Sequence, residues 1–404
     1  MRILHTSDWH LGRSLHGVDL LEHQAAYLDH LVEVVREEHV DAVLVAGDVY
    51  DRAVPPVPAV ELLAAALRRL AETTRVVLTP GNHDSAIRLG FGAHLFTERV
   101  RVHCQVADVG RPVPLPEPDG GVGAWVYPVP YLDPDLARGL LADDAGDAPG
   151  RSHEAVVRAA MKRIHADLAA RRASAGSRVP GVVMAHAFVV GGQPSESERD
   201  IRVGGVDSVP CGVFAADSPA AAVDYVALGH LHGPQRVGPA AGPGRMGTVL
   251  RYAGSPLAYS FSEQSHRKSS ALVELGEDVS TTVELVPAPV PRRLADVTGT
   301  LEELRGRAFD VHRDAWVRVT VTDDVRPRDL HAAVRQRFPH ALVVQHRPSR
   351  LAGSRVAPLI ESGTDPLEIA EQFVHEVGGR RATPQELLVL RTAYEGALAL
   401  DRSA

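Results

Sequence analysis

The sequence predicts an α/β fold, on three observations. Five short, β-branched apolar runs end abruptly in polar residues: "RILHTSDWH", "DAVLVAGDVYD", "TRVVLTPGNHD", "VPGVVMAHAF" and "VDYVALGHLHG". Segments of helical periodicity separate the first three of them. The composition, 45% hydrophobic and 23% charged over 404 residues, is that of a globular chain long enough for two or three domains.

Each element follows in order. Ile3-Leu4, Val43-Leu44-Val45 and Val76-Val77-Leu78 read as strands apolar on both faces, hence buried between layers. "LLEHQAAYLDHLVEVVREEH" places Leu21, Leu28, Leu31, Val32 and Val35 at helical spacing, and "AVELLAAALRRLAE" repeats the pattern. The Pro/Gly-rich stretches "GRPVPLPEPDGGVG" (110–123) and "DDAGDAPG" (143–150) read as loops, and "GPAAGPGRMG" (238–247) as the tip of a hairpin. Residues 152–172 form one more helix. A break at "VPAPVPRR" (286–293) reads as an interdomain linker. Beyond it, the strand "AWVRVTVTDD" and the helix "RPRDLHAAVRQRF" predict a small α/β domain. The tail predicts two amphipathic helices joined by Gly378-Gly379, with Asp365 capping the first and Thr383-Pro384 opening the second.

Composition also excludes. No run reaches the length of a membrane span, and "MRILHTSDWH" lacks the apolar stretch of a signal peptide. Two cysteines, Cys104 and Cys211, imply no disulfide framework, so an intracellular, cytoplasmic location is expected. A net charge of −8 argues against a protein that coats nucleic acid. The charge is uneven, with 13 arginines against 8 acidic residues between Arg292 and Arg355. Only Lys162 and Lys268 are lysines.

In open α/β sheets, ligands sit beyond the carboxyl ends of the strands. All five strand-like runs end there in potential metal ligands: Asp8 and His10, Asp48, Asn82 and His83, His186, then His230 and His232. Asp48 alone would more often be a turn residue and His186 alone a core histidine. Five such donations at one architectural position are a joint signal. Imidazoles, carboxylates and an amide oxygen without thiolates suit Mn, Fe or Zn. The set is larger than one ion with an open position can use, so two ions are implied, with Asp48 on a central strand as their bridge. In "PGNHD", Gly81 allows a tight turn and Asn82 offers a neutral oxygen. His83 is the candidate for protonating a leaving oxygen, since imidazole titrates near neutrality. Asp84 either fixes the His83 ring or caps the helix that follows. Trp9, between Asp8 and His10, is expected to pack.

The order D-x-H, G-D, G-N-H-D, H, G-H-x-H resembles the calcineurin-like metallophosphoesterases. "TSDWHLGRSLHG", "VAGDVYDRAVPP", "GGQPSESERDIRVGG" and "DYVALGHLHGPQRV…LRYAGSPLAYSFSEQSHRKS" are similar, more narrowly, to the bacterial SbcD family of double-strand-break repair nucleases. This resemblance implies a two-sheet sandwich flanked by helices over 1–285, a DNA-capping α/β domain over 292–350, and a C-terminal helical segment over 356–404 that binds the ATPase SbcC. It implies a nuclease dependent on two divalent ions, Mn²⁺ being the expected metal. Asp8, His10, Asp48 and His232 would hold one ion, and Asp48, Asn82, His186 and His230 the other, with His83 serving the leaving group; the residue reading adds Asp84 beside His83 as a catalytic candidate. Implied activities are ATP-dependent exonuclease on duplex ends and endonuclease on single strands and hairpins. Implied partners are DNA and SbcC, in a heterotetramer containing a homodimer of nuclease domains, at the nucleoid. Archaeal and eukaryotic relatives carry a second catalytic histidine after the Gly-Asp motif; here that place holds Asp51. The competing reading is a free-standing phosphoesterase acting on nucleotides or phosphoproteins, for which the last 110 or so residues have no use.

Overall fold

The computed structural model describes residues 1–117, 120–143, 145–198, 208–238, 247–276, 280–348, 365–378 and 380–401. They divide into two compact units, Met1–Leu294 and Ala295–Ala404.

In the first unit, β1 (Arg2–Thr6), β2 (Ala42–Ala46), β3 (Arg75–Thr79) and β4 (Val100–Val102) run parallel, linked by α1 (Leu21–Glu37) and α2 (Val57–Thr73). A second sheet follows from β5 (Val113–Pro116), β6 (Val122–Pro128), β7 (Gly181–His186), β8 (Tyr225–Gly229), β9 (Gln235–Val237) and β10 (Val249–Tyr252). Its order is β9-β10-β8-β7-β6-β5. Strands β11 (Ser269–Leu275) and β12 (Thr281–Pro287) then return to the first sheet, whose order is β12-β11-β1-β2-β3-β4.

Alternation along β2 explains why the predicted runs are apolar on both faces. Ala42 and Leu44 face the core between the sheets, beside Val77, Val182, Met184 and Ala227. Val43 and Val45 face outward, onto Leu28, Leu31, Leu63 and Leu70 of α1 and α2. On the far side, Val183, Ala185, Val226 and Leu228 pack against Val156, Ala160 and Ile164 of a long helix, His153–Ala175, whose first turn Ser152 caps. The result is four layers, helix, sheet, sheet, helix. Fully burying one such Val or Leu stabilises the fold by about 2 kcal/mol, so a charge at Val43 or Val183 would break it.

One expected loop is partly strand. Residues 113–116 form β5, whose Pro114 and Pro116 are tolerated because β5 is the outermost strand and needs no ladder N–H on its outer side. The turn expected at 238–247 does join the antiparallel pair β9 and β10, but its tip lies outside the described residues.

The second unit holds a three-stranded sheet, β13 (Leu294–Gly299), β14 (Trp316–Val321) and β15 (Ala341–His346), with a helix over Leu330–Arg337. Val297, Val317, Val319, Leu330, Val334 and Phe338 form its core. The tail helices span Pro366–Gly378 and Pro384–Asp401. Asp365 Oδ1 accepts from the Leu367 amide (2.9 Å). Thr383 and Glu386 form a reciprocal cap at the second helix, the Thr383 amide donating to Glu386 Oε2 (2.8 Å) and the Glu386 amide to Thr383 Oγ1 (3.3 Å). The expected boundary at 350–356 lies outside the described residues. Among the described residues, no helix is long and apolar enough to cross a membrane.

Candidate metal centre

The carboxyl ends of five parallel strands meet at one edge of the sandwich. The first sheet delivers Asp8, His10, Asp48, Asn82 and His83 just after β1, β2 and β3. The second delivers His186 at the end of β7, and His230 and His232 just after β8. The backbone bends sharply to do this. Asp8 (φ 54°), His10 (φ 45°), Asp48 (φ 49°) and His230 (φ 106°) adopt left-handed conformations that side chains other than glycine disfavour. Neighbours hold the bends in place. The Asp8 amide donates to the Gly47 carbonyl (3.1 Å), the His10 amide to that of Asp48 (2.9 Å), and the His230 amide to Asp8 Oδ1 (3.0 Å). Buried Gln24 of α1 donates to the His10 carbonyl (2.7 Å) and accepts from the Gly12 amide (3.0 Å).

Two glycines are steric requirements. Gly47 has φ 85°, and a Cβ there would lie 2.1 Å from His186 Nδ1. At Gly81 a Cβ would lie 2.1 Å from Asp48 Oδ1. The φ at Gly81 is not positive, so close approach of Asp48, rather than a tight turn, explains this glycine.

The seven expected ligands come together in two groups. In one, Asp8, His10 and His232 bring ligand atoms within 4.8 Å of one another; His10 Nε2 lies 3.1 Å from His232 Nε2 and 3.6 Å from Asp48 Oδ2. In the other, Asn82 Oδ1 lies 2.9 Å from His186 Nε2 and 3.2 Å from His230 Nδ1, and His186 Nε2 lies 3.4 Å from Asp48 Oδ2. Asp48 Oδ2 therefore faces both groups, while its Oδ1 accepts from the His83 amide (2.9 Å).

Ring orientation follows from what each outer nitrogen meets. His186 Nδ1 must carry its proton, because it donates to the Ala46 carbonyl (3.0 Å), which leaves Nε2 with a lone pair for the centre. His10 Nδ1 has no hydrogen-bond partner among the described residues, and Asp51 Oδ1 is 3.7 Å away. A proton on that nitrogen frees His10 Nε2. Buried imidazole lone pairs, two carboxylates and an amide oxygen aimed at a common space fit borderline divalent cations.

The electrostatics agree. Burial pushes the Asp8 carboxyl up to about 6, partly offset by His186 and His232. Burial would raise Asp48 too, but the charge and hydrogen bond of His186 hold it well below the usual range. Burial opposes protonation of His186, yet Asp48 outweighs it and raises the imidazole to about 9. Burial, with His186 beside it, lowers His230 to about 3, and burial holds His10 well below its ordinary value. A cation at His186 Nε2 would therefore compete with a proton that Asp48 favours there.

His83 sits half-buried against His10, with ring centroids 4.7 Å apart. Its Nδ1 donates to the Asp51 carbonyl (2.8 Å), so Nε2 is the atom open to chemistry. Asp84 does neither thing expected of it. Its carboxylate accepts from the Val49, Tyr50 and Gly81 amides at 3.0, 2.9 and 2.9 Å. With these bonds it ties the loop after β2 to the loop after β3. The His83 ring is held by a backbone carbonyl instead, and the N-cap of the next helix is Ser85. Asp51 forms no histidine-like group; it lies 3.5 Å from Arg13 Nη1. Trp9 is fully buried, its indole N–H donating to Thr6 Oγ1 (2.9 Å).

Sequence reasoning missed a shell behind the ligands: Gln24, Ser197, Glu198, Glu263 and Lys268. The signal was faint. Lys268 is one of two lysines in a chain that otherwise uses arginine, and it is buried.

Residues 1–234 match the calcineurin-like phosphoesterase family. Residues 290–378 match a family described as the type 5 capsule protein repressor C-terminal domain, SbcD_C. The chain is 34% identical over 368 residues to the SbcD component of the SbcCD nuclease of Bacillus subtilis (strain 168), covering 86% of this chain and 85% of that protein. Among solved structures, TT1561 of Thermus thermophilus aligns over 70% of this chain and 98% of its own, with 14% identity and a TM-score of 0.36.

Proposed function

Since the chain belongs to the calcineurin-like phosphoesterases and, within them, to the SbcD nucleases, we propose that it is a Mn²⁺-dependent DNA nuclease subunit acting with an SbcC-type ATPase. The coarser part is plain: it is a nuclease-family hydrolase of phosphodiester bonds that uses divalent metal ions. The observation that carries the finer reading is the pair of donor groups sharing one oxygen of Asp48. In this reading Asp8, His10, Asp48 and His232 hold one ion, and Asp48, Asn82, His186 and His230 the other.

Bound divalent cations supply Lewis-acid charge at the scissile phosphate and make attacking water acidic enough near neutral pH. The chain's own residues do the rest. Asp48 Oδ2 fixes the spacing of the two groups, and its Oδ1 is anchored by the His83 amide. The Asp51 carbonyl fixes the His83 ring, so that a proton on Nε2 can pass to the departing 3′ or 5′ oxygen. Asp84 keeps the two loops in register from behind.

The partner assignments rest on the second unit and on exposed apolar side chains. Residues 292–350 act as the DNA-capping domain and 356–404 as the ATPase-docking segment, where Phe373, Leu388 and Val389 are exposed. Ile87, Phe91 and Leu95 are 84%, 85% and 77% exposed on one short stretch, which supports burial of that stretch in a homodimer of nuclease domains. The complex works as a heterotetramer on chromosomal DNA in the cytoplasm.

The test compares cleavage of a hairpin DNA and of a small phosphodiester, each with and without the ATPase and ATP. Mn²⁺-dependent nicking of single strands and hairpins by the chain alone is expected, with degradation of duplex ends only when ATPase and ATP are present. Efficient turnover of the small diester with no DNA cleavage under any condition would replace this reading with the free-standing phosphoesterase.

A further inference from the structure

His232 is gripped at three points by two segments distant in sequence. Its amide donates to Glu198 Oε1 (2.8 Å). Its carbonyl accepts from Lys268 Nζ (2.9 Å). Its ring Nδ1 lies 2.6 Å from Ser197 Oγ. Ser197 in turn lies 2.5 Å from Glu263 Oε1, and Glu263 Oε2 pairs with Lys268. Ser197, Glu263, Lys268 and His232 are each no more than 9% exposed. The two segments are those of "GGQPSESERD" and "SFSEQSHRKS", which the proposed chemistry leaves without a role.

Proton accounting gives the network a direction. The Lys268 ammonium has three N–H donors and three acceptors: the His232 carbonyl, Ser255 Oγ (2.8 Å) and Glu263 Oε2. It is a compact, fully satisfied point charge, a geometry that planar arginine cannot reproduce. Beside it Glu263 is a carboxylate and can only accept. Ser197 has a single hydroxyl proton; Ser195 Oγ lies 2.9 Å away but gives its own proton to Glu198 Oε2 (2.7 Å), and the Ser197 proton goes to the closer, charged Glu263. Its oxygen must therefore accept from His232, which puts the imidazole proton on Nδ1 and leaves the Nε2 lone pair facing His10 and Asp8.

We propose that Ser197 is a positioning residue that, backed by Glu263 and Lys268, locks His232 in the tautomer able to bind a cation through Nε2. The proposal rests on the metal-centre reading above. Outer hydrogen-bond partners of this kind change metal affinity by about 10- to 100-fold. The effect falls on the ion held by His232, because the His186, His230 and Asn82 group has no bond to Ser197.

The test titrates Mn²⁺, and separately Co²⁺, into the metal-free full-length chain, following heat and the Co²⁺ visible absorption. In ¹⁵N-histidine spectra the wild-type His232 is expected as the Nδ1–H form. Two binding steps are expected for the wild type. For Ser197→Ala, one step weakens by about tenfold or more, the other, coupled to it only through Asp48, weakens clearly less, and the His232 signal shows mixed tautomers. Ser197→Thr, which keeps the hydroxyl, restores wild-type titration. If Ser197→Ala does not fold, Ser197→Val takes its place, differing from Ser197→Thr only by methyl for hydroxyl. Unchanged affinity in both steps overturns the proposal, and so does an equal fall in both, which marks a merely structural role. Failure of the wild type to bind two ions counts instead against the metal-centre reading itself.

Discussion

Replacing His83 with alanine separates two roles that the geometry allows. The ring lies with His10 and Asp48 in a group whose ligand atoms are within 4.8 Å, so His83 is a conceivable ligand as well as the expected proton donor. Its amide bond to Asp48 Oδ1 survives substitution, since it belongs to the main chain. The lost interaction is one hydrogen bond to the Asp51 carbonyl, at a residue in partial contact with water. Stability should fall by only about 1 kcal/mol. A general acid contributes about 10²- to 10⁴-fold to rate, or about 3 to 5 kcal/mol of barrier. His83→Ala should therefore bind two Mn²⁺ ions by elemental analysis yet nick single-stranded DNA at least about 100-fold more slowly. A diester with p-nitrophenolate as leaving group needs no proton and should lose far less. Equal loss on both substrates would refute the proton-donor argument, and loss of one ion would make His83 a ligand.

Four further outcomes follow from the same geometry. Asp48→Asn removes the shared charge and should cut bound metal from two ions to at most one; retention of two would end the bridging role. Gly47→Ala forces a Cβ into His186 at a left-handed backbone position, so the denaturation midpoint should correspond to a loss of about 2 kcal/mol or more, and a wild-type midpoint would contradict the steric account. In the metal-free chain, His186 is raised to about 9 through Asp48, so its stabilising proton is fully present below pH 6.5 and lost as pH rises through 9. Asp8 and the depressed histidines titrate below that window and Asp84, pushed up to about 7 by burial, at its lower end. A fall in melting temperature between about pH 7.5 and 9, while metal affinity rises, therefore reports the pair; a flat profile there would count against it. Deleting residues 364–404 should abolish SbcC binding in a pull-down while leaving the melting of the nuclease unit unchanged, and continued capture of SbcC would reject the docking role.

The fold was legible where burial is two-sided. Runs such as Ala42–Ala46 must be apolar on both faces because one face meets the other sheet and the next meets helices, and the abrupt polar residue that follows marks the strand end, where the buried site gathers. Edge strands gave no such signal. Residues 113–116 need satisfy only one neighbour, so two prolines hid a strand behind loop composition. At the site, the candidate ligands were legible as a set because each lies within four residues of a strand end. Their supports were not, because a hydrogen bond such as that of Ser197 to His232 joins residues 35 apart through tertiary packing, which spacing does not encode. Asp84 shows the same limit. Its neighbour in sequence is His83, but folding turns its carboxylate to the amides of Val49 and Tyr50.

The division of the ligands between two sheets has a thermodynamic consequence. Asp8, His10, Asp48 and Asn82 come from one sheet, and His186, His230 and His232 from the other, so no half of the chain can assemble either group alone. A cation that recognises only the docked sandwich acts on it by mass action. At a free concentration a thousand times its dissociation constant, it adds about 4 kcal/mol to the native state. That is comparable to a large share of what keeps an ordinary domain folded. Ions held by both groups would thus latch the open edge of the sandwich, and the supply of metal to the chain would set how tightly that edge is shut.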